Sequence, residues 1–441
     1  MSTKRFAVAG LALATTLALA LSGCAQSSSD NSNNSSAKGT SITYWASNQG
    51  TSLQNDVQVL TPVLKKFTEE TGVKVNLQVI GWNDLQTKIQ TAVTSGQGPD
   101  VLNIGNTWGS WLQSTGAFVP FDGKNAEAIG GLSRFNQAAL AAGGAPGKTP
   151  TSVPLYGLAY GLYYNKKMFS DAGLQPPTTW SEMVSDAQKI TDPSKNQWGI
   201  SLAAGSYTEN AHFAFITSSQ DGSAYATKSG DPSFATPQNV TGIMRYLNLM
   251  QSDKVANPAD SQYSTGTPIV ADFAAGRAAM VLSQNNADAS ILADGMSADA
   301  YGVVPLPAPS DAVNNTASHV AGINISILKS TKNLTGSLEF VKYMTSTAVQ
   351  EELGKPYSAL PVLKDAKATF TTNAAEAKTF MEIYANRAKP LPQVSWEGNF
   401  ESTVGKMLND MFAKIATGST VTSSYVESAL KTAEQQVQAQ N

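Results

Sequence analysis

An α/β protein of two lobes is the fold class that this 441-residue sequence predicts, and three observations carry it. Residues 42–104 alternate strand and helix patterns in the order β-α-β-α-β, which implies a parallel sheet covered by helices. The chain is longer than one core usually accommodates. It holds a single cysteine, so no disulfide can staple it and burial must hold it together.

The start of the chain reads as an export signal. Lys4 and Arg5 precede a largely apolar run from Phe6 to about Leu21, then Leu21-Ser22-Gly23-Cys24. That run is short for a spanning helix, which needs about 20 residues. The Leu-Ser-Gly-Cys site resembles a bacterial lipobox, in which the signal is cut before the cysteine and the cysteine carries lipid. Residues 1–23 are therefore expected to be a signal peptide and Cys24 a lipid anchor. More than one acyl chain holds a protein stably, where one binds only marginally. Residues 24–40 follow as the lipidated cysteine and a Ser/Asn-rich spacer that lacks the apolar content to fold.

The body opens with a strand at Ile42–Trp45. A helix carrying Leu60, Val63, Leu64 and Phe67 on one face ends at Gly72. Strict alternation follows, with Val73, Val75, Leu77 and Val79 apolar and Lys74, Asn76 and Gln78 polar, which is a strand. Asn83 or Asp84 can cap a second helix bearing Leu85, Ile89, Ala92 and Val93. The turn Ser95–Pro99 leads to a strand at Val101–Ile104. In such sheets ligands bind beyond the carboxyl ends of the strands, so the segments after Trp45, after Gly81 and after Gly105 are the first candidates for a site. Farther on, Ile323–Leu328 reads as a strand before a helix with Leu334, Leu338, Val341 and Met344. Two amphipathic helices close the chain, one through Phe400, Val404, Leu408 and Met411, the other through Val426, Leu430 and Val437.

Charge excludes some classes. Loss of Lys4 and Arg5 with the leader takes the net side-chain charge from −3 to −5, without the basic footprint that nucleic acid requires. Two histidines and no free thiol make a poor ligand set for a soft metal, so no metal and no cofactor are expected. The sequence holds neither G-x-S-x-G nor H-E-x-x-H. S-x-x-K at Ser326–Lys329 and Ser428–Lys431 lacks the companion motifs of penicillin-binding enzymes. No catalytic residue is assigned.

Five stretches in order resemble one family, the extracellular solute-binding proteins of ABC transporters, in the sugar-binding branch that includes maltose-binding protein. They are Lys66–Val75 followed by Gly98–Val101; Leu162-Tyr163-Tyr164-Asn165-Lys166-Lys167-Met168-Phe169 continuing to Trp180; Phe273–Met280; Ala321–Ile325 with the Lys329–Met344 segment; and Tyr357–Val362. The resemblance implies a two-lobed periplasmic-binding-protein-like fold. Each lobe would be a mostly parallel sheet flanked by helices, and hinge crossings would join the two. Lobe 1 would span 41–156 plus 322–360 and lobe 2 would span 157–321 plus 361–441. It further implies a monomeric receptor on the extracellular face of the cell membrane. Such a receptor closes over a sugar, an oligosaccharide for preference, and delivers it to membrane-embedded ABC permease subunits.

A sugar offers hydroxyls and apolar C–H faces, so its site needs aromatic planes and groups that both donate and accept hydrogen bonds. After the first strand stand Trp45, Ser47, Asn48 and Gln49; after the second, Trp82 and Asp84; after the third, Asn106, Thr107 and Trp108. Where the family places cleft residues in its second lobe stand Tyr207, Glu209, Asn210 and His212, then Asn285 and Asn286, then Trp396 and Glu397. Tyr160 lies at the first hinge crossing. Each has a structural alternative: Trp45 as a sheet-edge residue, Tyr160 as hinge packing, the asparagines as turn formers, and Asp84, Glu209 and Glu397 as solvated charges. Tyr163–Lys166 and Arg277 are read as scaffold. Other receptor substrates (a peptide, a polyamine or a phosphoester) and an exported glycan hydrolase are the rival readings.

Overall fold

The computed structural model describes residues 37–371 and 373–440. The signal peptide, Cys24 and most of the spacer lie outside them. Eleven strands are present among the described residues: β1 (Ser41–Ser47), β2 (Lys74–Ile80), β3 (Val101–Gly105), β4 (Ser152–Leu158), β5 (Tyr160–Asn165), β6 (Trp198–Ser201), β7 (Ala278–Gln284), β8 (Tyr301–Val304), β9 (Ser318–His319), β10 (Ala321–Ile327) and β11 (Ala388–Lys389). They form a five-stranded sheet ordered β2-β1-β3-β10-β4, a four-stranded sheet ordered β6-β7-β5-β8, and a β11-β9 pair. The two larger sheets are the cores of two lobes.

The first helix shows why the sequence pattern works. Ser52 caps Leu53–Thr71 by accepting from the Asn55 amide at 3.1 Å, and Gly72 ends it in the left-handed region at φ 78°. Leu60, Val63, Leu64 and Phe67 are buried against the five-stranded sheet. Each such side chain contributes about 1.5–3 kcal/mol. The second helix, Trp82–Ser95, begins earlier than its polar residues predicted. Gly81 is its N-cap, without a side-chain bond, and Trp82 therefore sits on its first turn. In the scaffold motif, Asn165 caps the next helix by accepting from the Met168 amide at 3.1 Å. Arg277 is held by Asp272 at 2.6 Å.

The expectation of mostly parallel sheets is corrected. β1 pairs in parallel with β2 and β3, but β10 runs antiparallel to both β3 and β4. In the second sheet β6–β7 is parallel, while β5–β7 and β5–β8 are antiparallel. The cause is the path of the chain. β4 leads straight into β5 through Ala159, out of one sheet and into the other, and β10 brings the chain back between β3 and β4 in the reverse direction.

Candidate functional site

One wall of the site grows from the ends of β1, β2 and β3. Beyond β1, the fully buried Asp56 carboxylate accepts from the side-chain amide of Asn48 and from the backbone amides of Gln49 (3.2 Å) and Gly50 (2.8 Å). Burial pushes the Asp56 carboxyl above its ordinary pKa, and these donors pull it back. The loop is thereby fixed with Asn48 and Gln49 facing the space between the sheets. Beyond β2, Trp82 stacks on Trp108 with ring centroids 4.9 Å apart and planes 24° apart. Gly105 makes room for this stack, since a Cβ there would stand 3.0 Å from Trp82 and 3.1 Å from Trp108. Asn106 donates to the Val320 carbonyl at 2.9 Å and ties the end of β3 to the returning chain.

The opposite wall is built on the helix Tyr207–Gln220. Ser206 caps it, and Glu209 and His212 lie on the turns facing the site. Both His212 nitrogens are engaged: Nδ1 with the Tyr160 hydroxyl at 2.8 Å, Nε2 with Glu401 at 2.8 Å. The other Glu401 oxygen accepts from the Trp108 indole at 2.9 Å. With Nε2–H donating to Glu401, Nδ1 is left to accept from Tyr160. Glu401 belongs to the helix Glu397–Ala416, which crosses the start of the Tyr207 helix at Gly405; a Cβ there would overlap the Tyr207 carbonyl. One buried carboxylate therefore holds a histidine of the second wall and the tryptophan behind the first. Burial raises the Glu209 carboxyl above its ordinary pKa.

Between the walls lies a cavity of about 470 Å³, within the range of small-ligand sites. Nine of the residues expected from the sequence line it: Asn48, Gln49, Trp82, Asp84, Asn106, Thr107, Glu209, His212 and Asn286. The other nine are placed elsewhere. Trp45 is half-buried with the Lys88 ammonium 6.0 Å from its ring. Ser47 is inside the sheet, accepting from Asn103 at 3.1 Å. Trp108 is 1 % exposed, one layer behind Trp82. Tyr160 is behind His212. Tyr207 is half-buried under Lys406. Asn210 is fully buried, donating to the Ala204 carbonyl and Asn409 and accepting from Tyr246. Asn285 accepts from the Ala159 amide at 2.7 Å and donates to the Ser358 carbonyl, which locks the crossing rather than facing the cavity. Trp396 is buried edge-to-face on Phe234 and donates to the Gly230 carbonyl at 2.9 Å. Glu397 is fully buried beside Glu401, and burial and that negative neighbour push its pKa well above the ordinary value.

Other lining residues were not singled out by the sequence, among them Thr265 and His319. The carboxylates of the lining, Asp84 and Glu209, stand among hydroxyls and amides, and no lysine or arginine lines the cavity among the described residues. The arrangement offers one broad aromatic plane, two carboxylates and a ring of neutral donors and acceptors. That set suits a polyhydroxylated ligand.

Comparison with known proteins agrees with this architecture. Residues 50–351 match the model of the bacterial extracellular solute-binding protein family. The diacetylchitobiose binding protein DasA of Streptomyces coelicolor is 24 % identical over 389 residues, covering 84 % of this chain and 85 % of that one. The multiple sugar-binding protein of Streptococcus mutans is 26 % identical over 325 residues, 69 % of this chain and 73 % of its own. A solute-binding protein of Thermotoga lettingae solved with alpha-D-tagatose superposes with a TM-score of 0.77 at 21 % identity, covering 91 % of this chain and 99 % of that one. This last likeness is one of fold. The chain thus belongs to the bacterial extracellular solute-binding protein family, whose members are substrate-binding components of transporters.

Proposed function

We propose that this protein captures a sugar, an oligosaccharide for preference, in the cavity between its two lobes and delivers it to the permease of an ABC importer. The observation that carries this reading is the composition of the cavity. Trp82 offers a plane for a sugar face, and Asn48, Gln49, Asn106, Thr107, Glu209 and Asn286 offer hydrogen-bonding groups from both walls. Its relatives named for diacetylchitobiose and for multiple sugars support the ligand class. Lobe 1 would comprise 41–156 with 322–360 and lobe 2 would comprise 157–321 with 361–441. Ligand contacts from both would favour the closed arrangement, which a permease reads as loaded. Cys24 would carry the lipid that keeps the receptor at the outer face of the membrane. No helix among the described residues is long and apolar enough to cross it.

Calorimetric titration of the full chain against a panel of oligosaccharides, peptides and polyamines tests the ligand class. Saturable heat with at least one sugar is expected. Binding of peptides or polyamines with no sugar bound would replace the reading. Cys24→Ser is expected to release the protein from the membrane fraction, and its retention there would remove the anchor.

A further inference from the structure

The chain has two histidines, and both line the cavity. Their rings stand 4.0 Å apart and tilted by 41°, yet their chemical situations differ. His212 has a partner on each nitrogen, Tyr160 and Glu401, and so can present only its ring face to a ligand. His319 is 1 % exposed, and neither of its nitrogens has a partner in hydrogen-bond geometry. Leaving such a group without a partner is costly, and most buried polar groups have one.

The backbone holding His319 is fixed on every side. Ser318 accepts from the Tyr160 amide at 2.9 Å. The Val320 carbonyl accepts from Asn106 at 2.9 Å. β9 is paired with β11, which puts Lys389 opposite His319 in register. Tyr160 and His212 pack against the ring, with Tyr160 at 5.5 Å. The imidazole is thus positioned rigidly at the cavity with unused hydrogen-bonding capacity. Burial holds its pKa well below the usual histidine range, so the ring is neutral and can either donate or accept.

We propose that His319 is a ligand-contacting residue, its imidazole nitrogen hydrogen-bonding a hydroxyl or amine of the bound sugar, and that the cavity takes uncharged or amine-bearing sugars and excludes those carrying a carboxylate or phosphate. The inference rests on the reading of the cavity as a sugar site and adds to it a residue and a charge class. The exclusion follows from the lining. An anion entering this space would lose its water beside the Glu209 and Asp84 carboxylates, with no lysine or arginine in the lining to receive it. A neutral imidazole does not replace that missing cation. A hydroxyl, by contrast, can donate to Glu209 and accept from His319, and an amine gains from both carboxylates.

Two measurements on the full chain test this. In the first, maltotriose, diacetylchitobiose and chitobiose are titrated beside digalacturonate and glucose 6-phosphate. Binding is expected within the first three alone. An anionic probe that binds as tightly as the best uncharged one would overturn the charge class while leaving the sugar reading intact. If none of the five binds, the sugar reading fails on this panel and this inference falls with it. In the second, imidazole ¹⁵N spectra are recorded with and without the tightest-binding probe. Only two histidines contribute, and His319→Gln assigns them. The His319 nitrogens are expected to shift on saturation while the His212 tautomer stays fixed, and His319→Leu should weaken binding more than tenfold with His319→Gln recovering part of the loss. A bound sugar that leaves the His319 resonances unmoved, or His319→Leu binding within twofold of the parent, would show that His319 is packing alone.

Discussion

In the wall formed beyond β1, β2 and β3, the loop after β1 is anchored within a few residues of where it starts, while Asn106 reaches the Val320 carbonyl of the returning chain. Asn48, Gln49 and Gly50 all answer to Asp56, at most eight residues away. The opposite wall is assembled across the whole chain. His212 meets Glu401 across 189 positions, and Glu401 meets Trp108 across 293. The first wall therefore rests in part on local contacts. The second depends on one buried carboxylate that accepts from groups of both walls. Removing it should be felt in the stability of the whole protein as well as at the site.

The largest expected effect breaks that second wall. Glu401→Leu strands the Trp108 indole N–H and the His212 Nε2–H in the interior, and unfolding in urea should show a loss of about 3–5 kcal/mol. Glu401→Gln keeps one acceptor and should lose less, about 1–3 kcal/mol. Equal stability of Glu401→Leu and the parent would mean that the carboxylate is not the brace described here. Next comes Trp396→Ala. Trp396 is 3 % exposed and outside the cavity, so denaturation should register about 3–5 kcal/mol while sugar affinity in the folded protein stays within about twofold. A large affinity loss without destabilisation would bring Trp396 back to the site.

A third change weakens the first wall alone. Trp82→Ala removes the aromatic plane of the cavity and its stack on Trp108, at an expected stability cost of about 1 kcal/mol. Affinity measured by calorimetry should fall about tenfold or more, a change of 1.4 kcal/mol or larger. An unchanged affinity would place the sugar away from this wall. The smallest effect is one of pH. The pKa of Glu397 stands well above its ordinary 4.5 in the folded state, so the native protein holds that proton more tightly than the unfolded chain. The associated stability is full below the ordinary carboxylate range and is lost as pH rises through the folded-state value. Glu397→Gln stays neutral throughout, so its urea midpoint should fall less between pH 5 and pH 9 than the parent's. Identical slopes would mean that Glu397 ionises freely in the native state.

The same contrast explains what was legible in the sequence. Alternation at Val73–Val79 and helical spacing from Leu60 to Phe67 located β2 and the helix before it, because each pattern is local. Strand ends then pointed to Asn48, Gln49, Trp82, Asn106 and Thr107, all of which line the cavity. Strand direction was not legible, since the apolar alternation of β10 reads alike in either sense. Trp108 follows a strand end as Trp82 does, but a 3-10 turn at Asn106–Trp108 and the Glu401 acceptor carry its ring one layer back. Trp396 sits between turn-like residues and a helix, and nothing in that stretch reveals Phe234 and Gly230 as its partners. Glu401 and His319 were missed because their roles exist only once distant segments meet. The scarcity of histidine was visible; that both histidines would stand 4.0 Å apart at one cavity was not.

The central claim is that one cavity with two differently built walls binds a sugar. Calorimetric titration of the best-binding oligosaccharide into the parent protein, Trp82→Ala and Glu209→Gln tests it most directly. The expected result is saturable one-to-one binding by the parent and a loss of about tenfold or more in each variant, with both variants folded. Saturable sugar binding unchanged by both substitutions would contradict the account and move the site out of this cavity.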